Sequence, residues 1–521
     1  MDRILIRGVN WIGDSVMTLP AIRAIKGFYS DSEITLLVKD WVKDIFEYNP
    51  GINRILLYDE KFKGVTGKIK GARILKKYNF QKAFLLQNAF DAAVLSYLAG
   101  IPERIGYDRD GRGFLLSRAV PCSSELRKTH HILYYLELLK RAGVNVTYRH
   151  PWIYMSVDER EKALQKTEQL RRPLIVVNPG ATYGSAKRWP SASFSELINK
   201  LLQRLDATVI IIGSEKERPI SDEILKGIGH DWIETMRVIN KTGKTSLREL
   251  IRLISASDVL VTNDSGPMHI GYALGVPVVA LFGSTSPELT GPLSFVNPER
   301  YGFETDIEFS AGEMVLNKRL PCSPCFKREC PEGEPSCLQQ ILPDEVFNCI
   351  KELLPERKAV FFDRDGTLCH DPGYLNRWED FRVYPEIREL KKLKEMGYLL
   401  IGVTNQSGIA RGLVQREFVK EVNNTFIEKY GFDTFYYCPH HPDDMCACRK
   451  PSPGMLFKAR AEFGINLRKS FVVGDKVSDM ELAESVGAEG ILIKTDSLYN
   501  YKNFKVCNSI KEAAEYIIER R

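Results

Sequence analysis

The stretch FFDRDGTL, Phe361–Leu368, is the most informative part of this chain. It begins in an apolar run, KAVFF, that is typical of a buried strand, and it continues into two aspartates separated by one residue, Asp363 and Asp365. A carboxylate directly after a buried strand lies where open α/β sheets bind their ligands. The pair predicts a nucleophile, Asp363, and a general acid/base, Asp365. D-x-D-G is also an ordinary loop sequence, so the neighbouring motifs have to decide between the two interpretations.

Length and pattern predict three α/β domains. The chain has 521 residues, of which 44% are apolar and 27% charged, so it is typical of a globular protein too long for one core. Short apolar strands alternate with helical segments, which is the pattern of parallel sheets. We expect two Rossmann-like domains at 1–165 and 166–352, a linker at 353–358 and a third domain at 359–521.

Charge and hydropathy restrict the partners. The net charge of +6 suits anionic substrates or a membrane surface, and no basic run with interleaved aromatics predicts nucleic-acid binding. The first residues, MDRILIRGVNW, enter a strand pattern rather than a secretion signal, and no apolar run of about 18 residues is present. We expect a cytoplasmic protein with at most peripheral contact at the inner face of the membrane.

The first strand leads into a glycine-containing loop and a helical pattern. Apolar residues at Leu19, Ile22 and Ile25 have helical spacing, and Asp14 lies near the start of the helix. A helix N-cap is one interpretation of Asp14 that stays open here.

A second candidate site lies at Asn263–His269, NDSGPMH, which follows a strand and opens a helix. Backbone N–H groups and the helix dipole at such a position bind anions. Lys187, in AKRWP, is a candidate counter-charge. Each feature is weak alone, because a histidine in a helix is more often packed than functional. Together they predict a nucleoside-diphosphate site in a cleft between two domains.

Residues 1–350 resemble the lipopolysaccharide heptosyltransferases, which have the two-domain GT-B fold. The matching motifs occur in the family's order: WIGDSVMTLP (11–20), NPGA (178–181), AKRWP (186–190), TNDSGPMH (262–269) and FGSTSP (282–287). The resemblance is strongest to the second heptosyltransferase type, which implies transfer from ADP-heptose to a heptose of the lipid-anchored core.

This resemblance implies roles for individual residues. Asp14 would deprotonate the acceptor hydroxyl, and Glu215, with Glu217 as the alternative register, would lie near the nucleoside. The residues implied at the diphosphate are Lys187, Asp264, Ser265, Gly266 and His269. Helix N-termini and a lysine can stabilise a departing diphosphate without a metal.

Residues 359–521 resemble the haloacid-dehalogenase (HAD) phosphatases, and within them the heptose bisphosphate phosphatases. The motifs after FFDRDGTL are HDPGY (370–374), LLIGVTNQSGIARG (399–412), CPHHPDDMCACRKPSPGM (438–455) and FVVGDKVSDM (471–480). The predicted fold class is therefore α/β throughout, a GT-B transferase followed by a Rossmann-like HAD phosphatase domain.

In this family Asp363 is phosphorylated and Asp365 exchanges protons with the leaving sugar and with water. Thr404 and Lys450 would hold the phosphoryl group, and Asp475 would bind Mg²⁺ with Asp363 and the backbone carbonyl of Asp365. Oxygen ligands beside a phosphate are what Mg²⁺ prefers. The residues implied at the substrate are Asp371, Pro372, Gly373, Tyr374, Asn405, Gln406, Ser407, Lys476 and Arg449, of which Arg449 would contact the second phosphate.

The eleven cysteines include two clusters. Cys438, His440, Cys446 and Cys448 form C-x-H-x5-C-x-C within the loop 438–448, a donor set that suits a structural zinc ion. His441 is the other candidate imidazole, and the family pattern favours His440. Such a zinc would fix the loop that carries Arg449 and Lys450.

A second cluster lies within 322–337, where Cys322, Cys325, Cys330 and Cys337 have looser spacings. Metal binding, a disulfide and free thiols all remain open for these four residues.

The chain is therefore expected to be a bifunctional enzyme. It would transfer heptose from ADP-heptose to a core heptose, and it would hydrolyse D-glycero-D-manno-heptose 1,7-bisphosphate to the 1-phosphate. Two alternatives stay open: the phosphatase acts on histidinol phosphate, or the transferase uses another nucleotide sugar. A third, that one half is an inactive binding module, has no support because all the implied catalytic residues are present.

Overall fold

The structure is a computed structural model that describes residues 1–333, 335–493 and 504–520. It divides into two compact units. The first unit contains Met1–Met155, Leu170–Ile307 and Gly312–Glu352, and the second contains Ser156–Gln169, Glu308–Ala311 and Leu353–Arg521. The domain boundaries given above stay predictions.

The N-terminal sheet of the first unit has six parallel strands in the order β3-β2-β1-β4-β5-β6. The central strands are apolar runs buried on both faces, as parallel sheets covered by helices require. The strands are β1 (Arg3–Arg7), β2 (Glu33–Val38), β3 (Arg54–Leu57), β4 (Lys82–Leu85), β5 (Glu103–Asp108) and β6 (Arg118–Pro121), and the helices are α1 (Ile12–Met17), α2 (Leu19–Phe28), α3 (Gly64–Lys76), α4 (Phe90–Leu98) and α5 (His131–Arg141).

The second sheet of this unit has the order β10-β9-β8-β11-β12-β14 and is also parallel. Two short strands, β7 (Thr147–Tyr148) and β13 (Glu304–Thr305), pair with each other in parallel. In the sequence, β7 precedes the first strand of this sheet and β13 precedes its last strand. The sheet strands are β8 (Leu174–Asn178), β9 (Thr208–Ile211), β10 (Val238–Asn240), β11 (Val259–Asn263), β12 (Val278–Phe282) and β14 (Glu313–Asn317). The helices are α7 (Ser191–Leu205), α8 (Arg218–Lys226), α9 (His230–Glu234), α10 (Leu247–Ser255), α11 (Gly266–Ala273), α12 (Pro287–Thr290), α13 (Ser336–Gln339) and α14 (Pro343–Leu353).

The second unit is built on a third parallel sheet with the order β17-β16-β15-β18-β19-β20. One of its helices, α6, comes from the earlier segment 156–169 and packs against α18. The strands are β15 (Ala359–Phe362), β16 (Leu399–Asn405), β17 (Thr434–Cys438), β18 (Phe471–Gly474), β19 (Glu489–Ile493) and β20 (Lys505–Cys507), and the helices are α6 (Val157–Gln165), α15 (Lys391–Glu395), α16 (Arg416–Tyr430), α17 (Gly454–Phe463), α18 (Val477–Val486) and α19 (Ile510–Glu519).

All three sheets share one topology. In each, the first strand is central, the next two extend to one side and the last three to the other. Ligands bind such sheets outside the carboxyl ends of the strands, where the strand order reverses. The predicted α/β fold class is confirmed, and the topology places candidate sites after β1, β11, β15 and β18. No helix in the described ranges is long and apolar enough to cross a membrane.

The helical pattern after β1 is two helices rather than one. Helix α1 ends at Met17 and α2 begins at Leu19, with Pro20 in its first turn. Proline has no N–H to continue the preceding helix but fits the first turn of a new one. The prediction of one continuous helix from near Asp14 to Ile25 was therefore wrong.

Candidate active sites

The aspartates of FFDRDGTL lie where the third sheet reverses its strand order. Asp363 follows β15 directly, and Asp475 follows the neighbouring strand β18. A Cβ atom added to Gly366 would lie 2.3 Å from an Asp475 carboxylate oxygen, and the backbone there has a φ of +93°. Glycine at this position therefore lets the turn after Asp365 approach Asp475 closely.

Lys450 is the buried cation of this site. Its Nζ atom lies 2.8 Å from Asp363 Oδ1 and 2.7 Å from Asp479 Oδ1, and it donates a hydrogen bond to the Val403 carbonyl oxygen at 2.9 Å. Burial lowers the pKa of Lys450, but Asp363 and Asp479 outweigh it and raise that pKa above its ordinary value. Lys450 is therefore a fixed positive charge beside the predicted nucleophile.

Asp365 is held by the side chains on either side of it. Arg364 donates from Nε to Oδ1 and from Nη2 to Oδ2, both at 2.9 Å. Gln406 Nε2 donates to Oδ2 at 2.6 Å and also to Thr404 Oγ1 at 2.8 Å. Burial favours the neutral carboxyl, but Arg364 and Gln406 together lower the pKa of Asp365 below its usual range. In this structure Asp365 is therefore ionised and fixed in direction.

Seven of the nine predicted substrate residues line a cavity of about 170 Å³. Lys476 Nζ lies 3.2 Å from Asp371 Oδ2, and Asn405 accepts a hydrogen bond from Lys450 N at 3.0 Å. Within the described part of the chain the lining omits Pro372 and Arg449, the latter half-buried. The lining residues are Asp363, Asp365, Asp371, Gly373, Tyr374, Leu375, Thr404, Asn405, Gln406, Ser407, Gly408, Lys450, Lys476 and Ser478.

Three carboxylates meet beside this cavity. Ligand oxygens of Asp363, Asp475 and Asp479 all lie within 4.8 Å of one another. Burial and the charge of Asp363 raise the pKa of Asp475 to about 7. Such crowding of negative charge is relieved by a bound cation. The Asp365 carboxylate is not a member of this group, which agrees with the implied use of its backbone carbonyl.

The side chains of Cys438, His440, Cys446 and Cys448 form a buried cluster. The Cys438 sulfur lies 3.5 Å from that of Cys446 and 3.4 Å from His440 Nδ1, and Nδ1 lies 3.2 Å from the Cys448 sulfur. His441 is not a member of the cluster; its ring accepts a hydrogen bond from Asp443 N. The structure thus brings together the four residues that the spacing predicted.

The second group of cysteines is not assembled in this way. Among the described residues, no cluster of candidate ligand atoms within 4.8 Å includes Cys322, Cys325, Cys330 or Cys337. Cys337 is buried, whereas Cys322 is exposed.

In the first unit, the two sheets place the N-termini of α1 and α11 against each other. A Cβ atom on Gly266 would lie 2.8 Å from Ile12 Cγ2, so glycine allows this approach. Trp11 has extended backbone angles and its carbonyl accepts from Ser15 N at 2.8 Å, which makes it the N-cap of α1. Asp14 is instead the third residue of the helix, so the N-cap interpretation of Asp14 was wrong.

Asp14 lies on a cavity of about 240 Å³. Its Oδ1 atom is 3.4 Å from His131 Nδ1, at the start of α5. Arg109, Arg127 and Asn88 line the same cavity, so a carboxylate, an imidazole, two guanidinium groups and an amide face one space. None of these neighbours was predicted as a site residue, because each is distant from Asp14 in sequence and belongs to no recognised motif.

His269, in α11, is buried against α1. Its Nδ1 atom lies 2.7 Å from the Tyr272 hydroxyl, and a Cβ atom on Gly13 would lie 2.9 Å from its Nε2. Burial lowers the pKa of His269 to about 4, with smaller opposing effects from Asp264 and Asp14. His269 is therefore a neutral imidazole between the two helix N-termini.

The predicted diphosphate residues lie at the start of α11. Lys187 Nζ is 2.5 Å from Asp264 Oδ2, which also accepts from Thr285 Oγ1 at 2.7 Å. Ser265 is the N-cap of α11, and its Oγ accepts from Asn178 Nδ2 at 2.8 Å. The lysine and the helix N-terminus thus lie together, with Lys187 oriented by a buried carboxylate.

The two glutamates proposed for the nucleoside differ in environment. Glu215 is exposed and paired with Arg218 at 2.5 Å. Glu217 is buried and accepts hydrogen bonds from Ser214 N and Oγ at 2.8 Å. Glu217 therefore caps its own turn, whereas Glu215 keeps an exposed carboxylate.

Asp479 is another residue that the sequence analysis did not single out. It is buried and its Oδ1 contacts Lys450 Nζ at 2.7 Å, while its Oδ2 accepts from Lys476 N at 3.1 Å. Its spacing from Asp475 in GDKVSDM, one helical turn, was the available signal.

Comparison with known proteins gives two families. A model described as glycosyltransferase family 9 (heptosyltransferase) matches residues 69–335, and one described as HAD-hydrolase-like matches residues 447–513. Both resemblances predicted from the motifs are thus confirmed.

Individual relatives cover the two parts separately. Lipopolysaccharide heptosyltransferase 2 of Salmonella typhimurium is 30% identical over 301 residues, 56% of this chain and 86% of the relative. D-glycero-beta-D-manno-heptose-1,7-bisphosphate 7-phosphatase of Haemophilus ducreyi is 37% identical over 179 residues, 31% of this chain and 98% of the relative. The solved structure of the E. coli ADP-heptose LPS heptosyltransferase II aligns with a TM-score of 0.57 at 26% identity, covering 68% of this chain and 98% of that one.

Proposed function

We propose that this chain, which belongs to the heptosyltransferases of glycosyltransferase family 9 and ends in a HAD-like phosphatase, is a bifunctional enzyme of inner-core lipopolysaccharide heptose metabolism. One reaction transfers heptose from ADP-heptose to a heptose of the lipid-anchored core. The other hydrolyses D-glycero-D-manno-heptose 1,7-bisphosphate to the 1-phosphate. The convergence of Asp363, Asp365 and Lys450 on one cavity is the observation that best supports the second reaction.

In the phosphatase reaction, an Asp363 oxygen attacks the phosphorus of the 7-phosphate and the bond from phosphorus to the sugar oxygen breaks. The negative charge of the incoming phosphate raises the pKa of Asp365, so that Asp365 carries the proton that the leaving oxygen takes. Water then attacks the aspartyl phosphate, its proton returns to Asp365, and inorganic phosphate is released. Lys450 and Thr404 hold the phosphoryl oxygens throughout.

The carboxylate group fits a magnesium ion. Asp363 and Asp475 offer oxygen ligands close together. Burial, and after it the charge of Asp363, raises the pKa of Asp475, and a cation would favour the ionised carboxylate. Together with the Asp365 backbone carbonyl these residues would hold Mg²⁺. When bound, the ion offsets the charge between the carboxylates and the phosphate.

The thiolate and imidazole cluster fits a structural zinc ion. Three sulfurs and one ring nitrogen, all buried, are the donor set of closed tetrahedral zinc sites. Cys438, His440, Cys446 and Cys448 would hold it. The ion would fix the loop that ends in Arg449 and Lys450, and Arg449 is our candidate for the second phosphate.

In the transferase reaction, Asp14 takes the proton of the acceptor hydroxyl. The acceptor oxygen attacks the anomeric carbon of the donor, and the bond from that carbon to the diphosphate breaks. The N-terminus of α11 and Lys187 stabilise the departing ADP, with His269 beside them and Glu215 near the nucleoside. His131 lies beside Asp14 and orients its carboxylate, and Arg109 and Arg127 line the acceptor cavity. We propose that the enzyme is cytoplasmic and meets its lipid-anchored acceptor at the inner face of the cytoplasmic membrane.

Competition between nucleotide sugars tests the transferase half. Transfer of labelled heptose to a core acceptor is measured with ADP-heptose against an excess of UDP- or GDP-sugars. We expect no inhibition by the excess of UDP- or GDP-sugars, whereas free ADP added at the same concentration should inhibit. Equal competition by a UDP- or GDP-sugar would contradict the donor assignment and favour another nucleotide sugar.

A further inference from the structure

Glu308 is a buried carboxylate that no motif of the sequence identifies. It belongs to the second unit through the short segment Glu308–Ala311, although it lies within the residues that match the heptosyltransferase model. Only 4% of its surface is exposed. A carboxylate removed from water to this extent requires hydrogen-bonding or charged partners, and two of the groups that face it belong to the loop 438–448.

Glu308 contacts that loop with both carboxylate oxygens. Its Oε2 atom accepts a hydrogen bond from Ala447 N at 2.7 Å, between two of the cluster cysteines. Its Oε1 atom lies 3.7 Å from His440 Nε2. His440 presents Nδ1 to the sulfurs of Cys438 and Cys448, so Nε2 is the ring nitrogen that faces Glu308.

The backbone around this contact is shaped for close approach. A Cβ atom added to Gly454 would lie 2.4 Å from the Ala447 carbonyl oxygen and 3.0 Å from the Glu308 carbonyl oxygen. Any larger residue at position 454 would displace the backbone at Ala447 or at Glu308. The segment that carries Glu308 and the turn at Ala447 are thus packed against the same glycine.

We propose that Glu308 is a positioning residue of the zinc loop, contributed to the phosphatase by the sequence of the transferase. A metal-binding histidine commonly gives its second ring N–H to a carboxylate, which fixes the ring and increases the basicity of the ligand. At 3.7 Å, Glu308 Oε1 is too far from His440 Nε2 for a direct hydrogen bond, but it places a negative charge beside the ring. Its other oxygen holds the turn between Cys446 and Cys448. The inference rests on the zinc site proposed above.

The metal-binding loop and the catalytic lysine are close together in the sequence. Cys448 is separated from Lys450 by one residue, and Lys450 Nζ contacts Asp363 at 2.8 Å. A loop that loses its zinc or its orientation therefore misplaces the cation beside the nucleophile. The phosphatase site depends in this way on a residue outside the C-terminal part of the sequence.

The test compares full-length Glu308→Gln and Glu308→Ala with the wild type. Glu304→Gln is the matched control, because Glu304 lies in the same region of sequence but is exposed. Zinc content is measured after purification, and zinc affinity by titration against a chromophoric chelator. Phosphate release and heptosyl transfer are then measured on the same preparations, the second as a check that the chain is folded.

We expect zinc binding to weaken by about 10–100-fold in Glu308→Gln, since a carboxamide keeps an acceptor for Ala447 but loses the charge facing His440. Glu308→Ala should lose more, and Glu304→Gln nothing. Wild-type zinc affinity in Glu308→Gln would overturn the proposal, even if Glu308→Ala is unstable. Absence of zinc from the wild type would instead overturn the zinc site on which the inference rests.

Discussion

Replacing Lys450 by methionine is the perturbation whose effect follows most directly from the structure. The substitution keeps most of the side-chain volume but removes Nζ, the atom within 2.8 Å of both Asp363 and Asp479. Only 5% and 1% of those two carboxylate side chains are exposed, so water cannot replace the lost cation. Removing one partner from a buried ion pair typically destabilises a protein by about 3–5 kcal/mol.

The matched control is Lys476→Met at the rim of the same cavity. The Lys476 side chain is 52% exposed and lies 3.2 Å from Asp371. Exposed ion pairs contribute about 0–1 kcal/mol. The two substitutions make the same chemical change within one site, so the difference between them isolates the effect of burial.

Hydrogen exchange followed by mass spectrometry measures the effect in the right part of the molecule. Peptides covering β15 report opening of the second unit, and peptides covering β8 serve as an internal reference in the first. A loss of about 3–5 kcal/mol corresponds to ~10²–10⁴-fold faster exchange in β15. Exchange in Lys450→Met within threefold of that in Lys476→Met would refute the assignment of Lys450 as a buried, charged partner of both aspartates.

Three further substitutions separate the two reactions. Asp363→Asn should abolish phosphate release, because an amide cannot form the phosphoenzyme, while heptosyl transfer stays at the wild-type rate; retained phosphatase activity would exclude Asp363 as the nucleophile. Asp14→Asn should slow heptosyl transfer by about 10²–10⁴-fold, the usual contribution of a general base, without affecting phosphate release; a smaller loss would count against Asp14 as the base. Cys446→Ser should purify with less than stoichiometric zinc by elemental analysis, because a hydroxyl is a poor ligand for this ion; full occupancy would exclude Cys446 from the site.

Residues at the ends of strands were the most predictable part of the site on the third sheet. Asp363 and Asp475 directly follow their strands and Thr404 is the penultimate residue of its strand, and the carboxyl ends of such strands meet at one edge. Local spacing was likewise sufficient for the cluster of Cys438, His440, Cys446 and Cys448, since four ligands within one loop need no long-range information. The α/β fold class followed from the alternation of apolar strands and helices.

Contacts between residues distant in sequence could not be predicted. His131 reaches Asp14 from another helix, and Glu308 reaches the loop 438–448 from a segment far upstream. Neither residue has a local pattern that distinguishes it from an ordinary surface or core residue. Local sequence was also insufficient at the start of α1, where the N-cap interpretation of Asp14 depended on which residue begins the helix.

Phosphate release measures most directly whether the C-terminal half of the chain acts on heptose, as we propose for both halves. The purified full-length protein with Mg²⁺ is given D-glycero-D-manno-heptose 1,7-bisphosphate or histidinol phosphate, and kcat/KM is compared. We predict a strong preference for the bisphosphate, with one phosphate released and the 1-phosphate left on the sugar. A preference for histidinol phosphate would keep the chemistry of Asp363 but contradict the claim that both halves serve heptose metabolism.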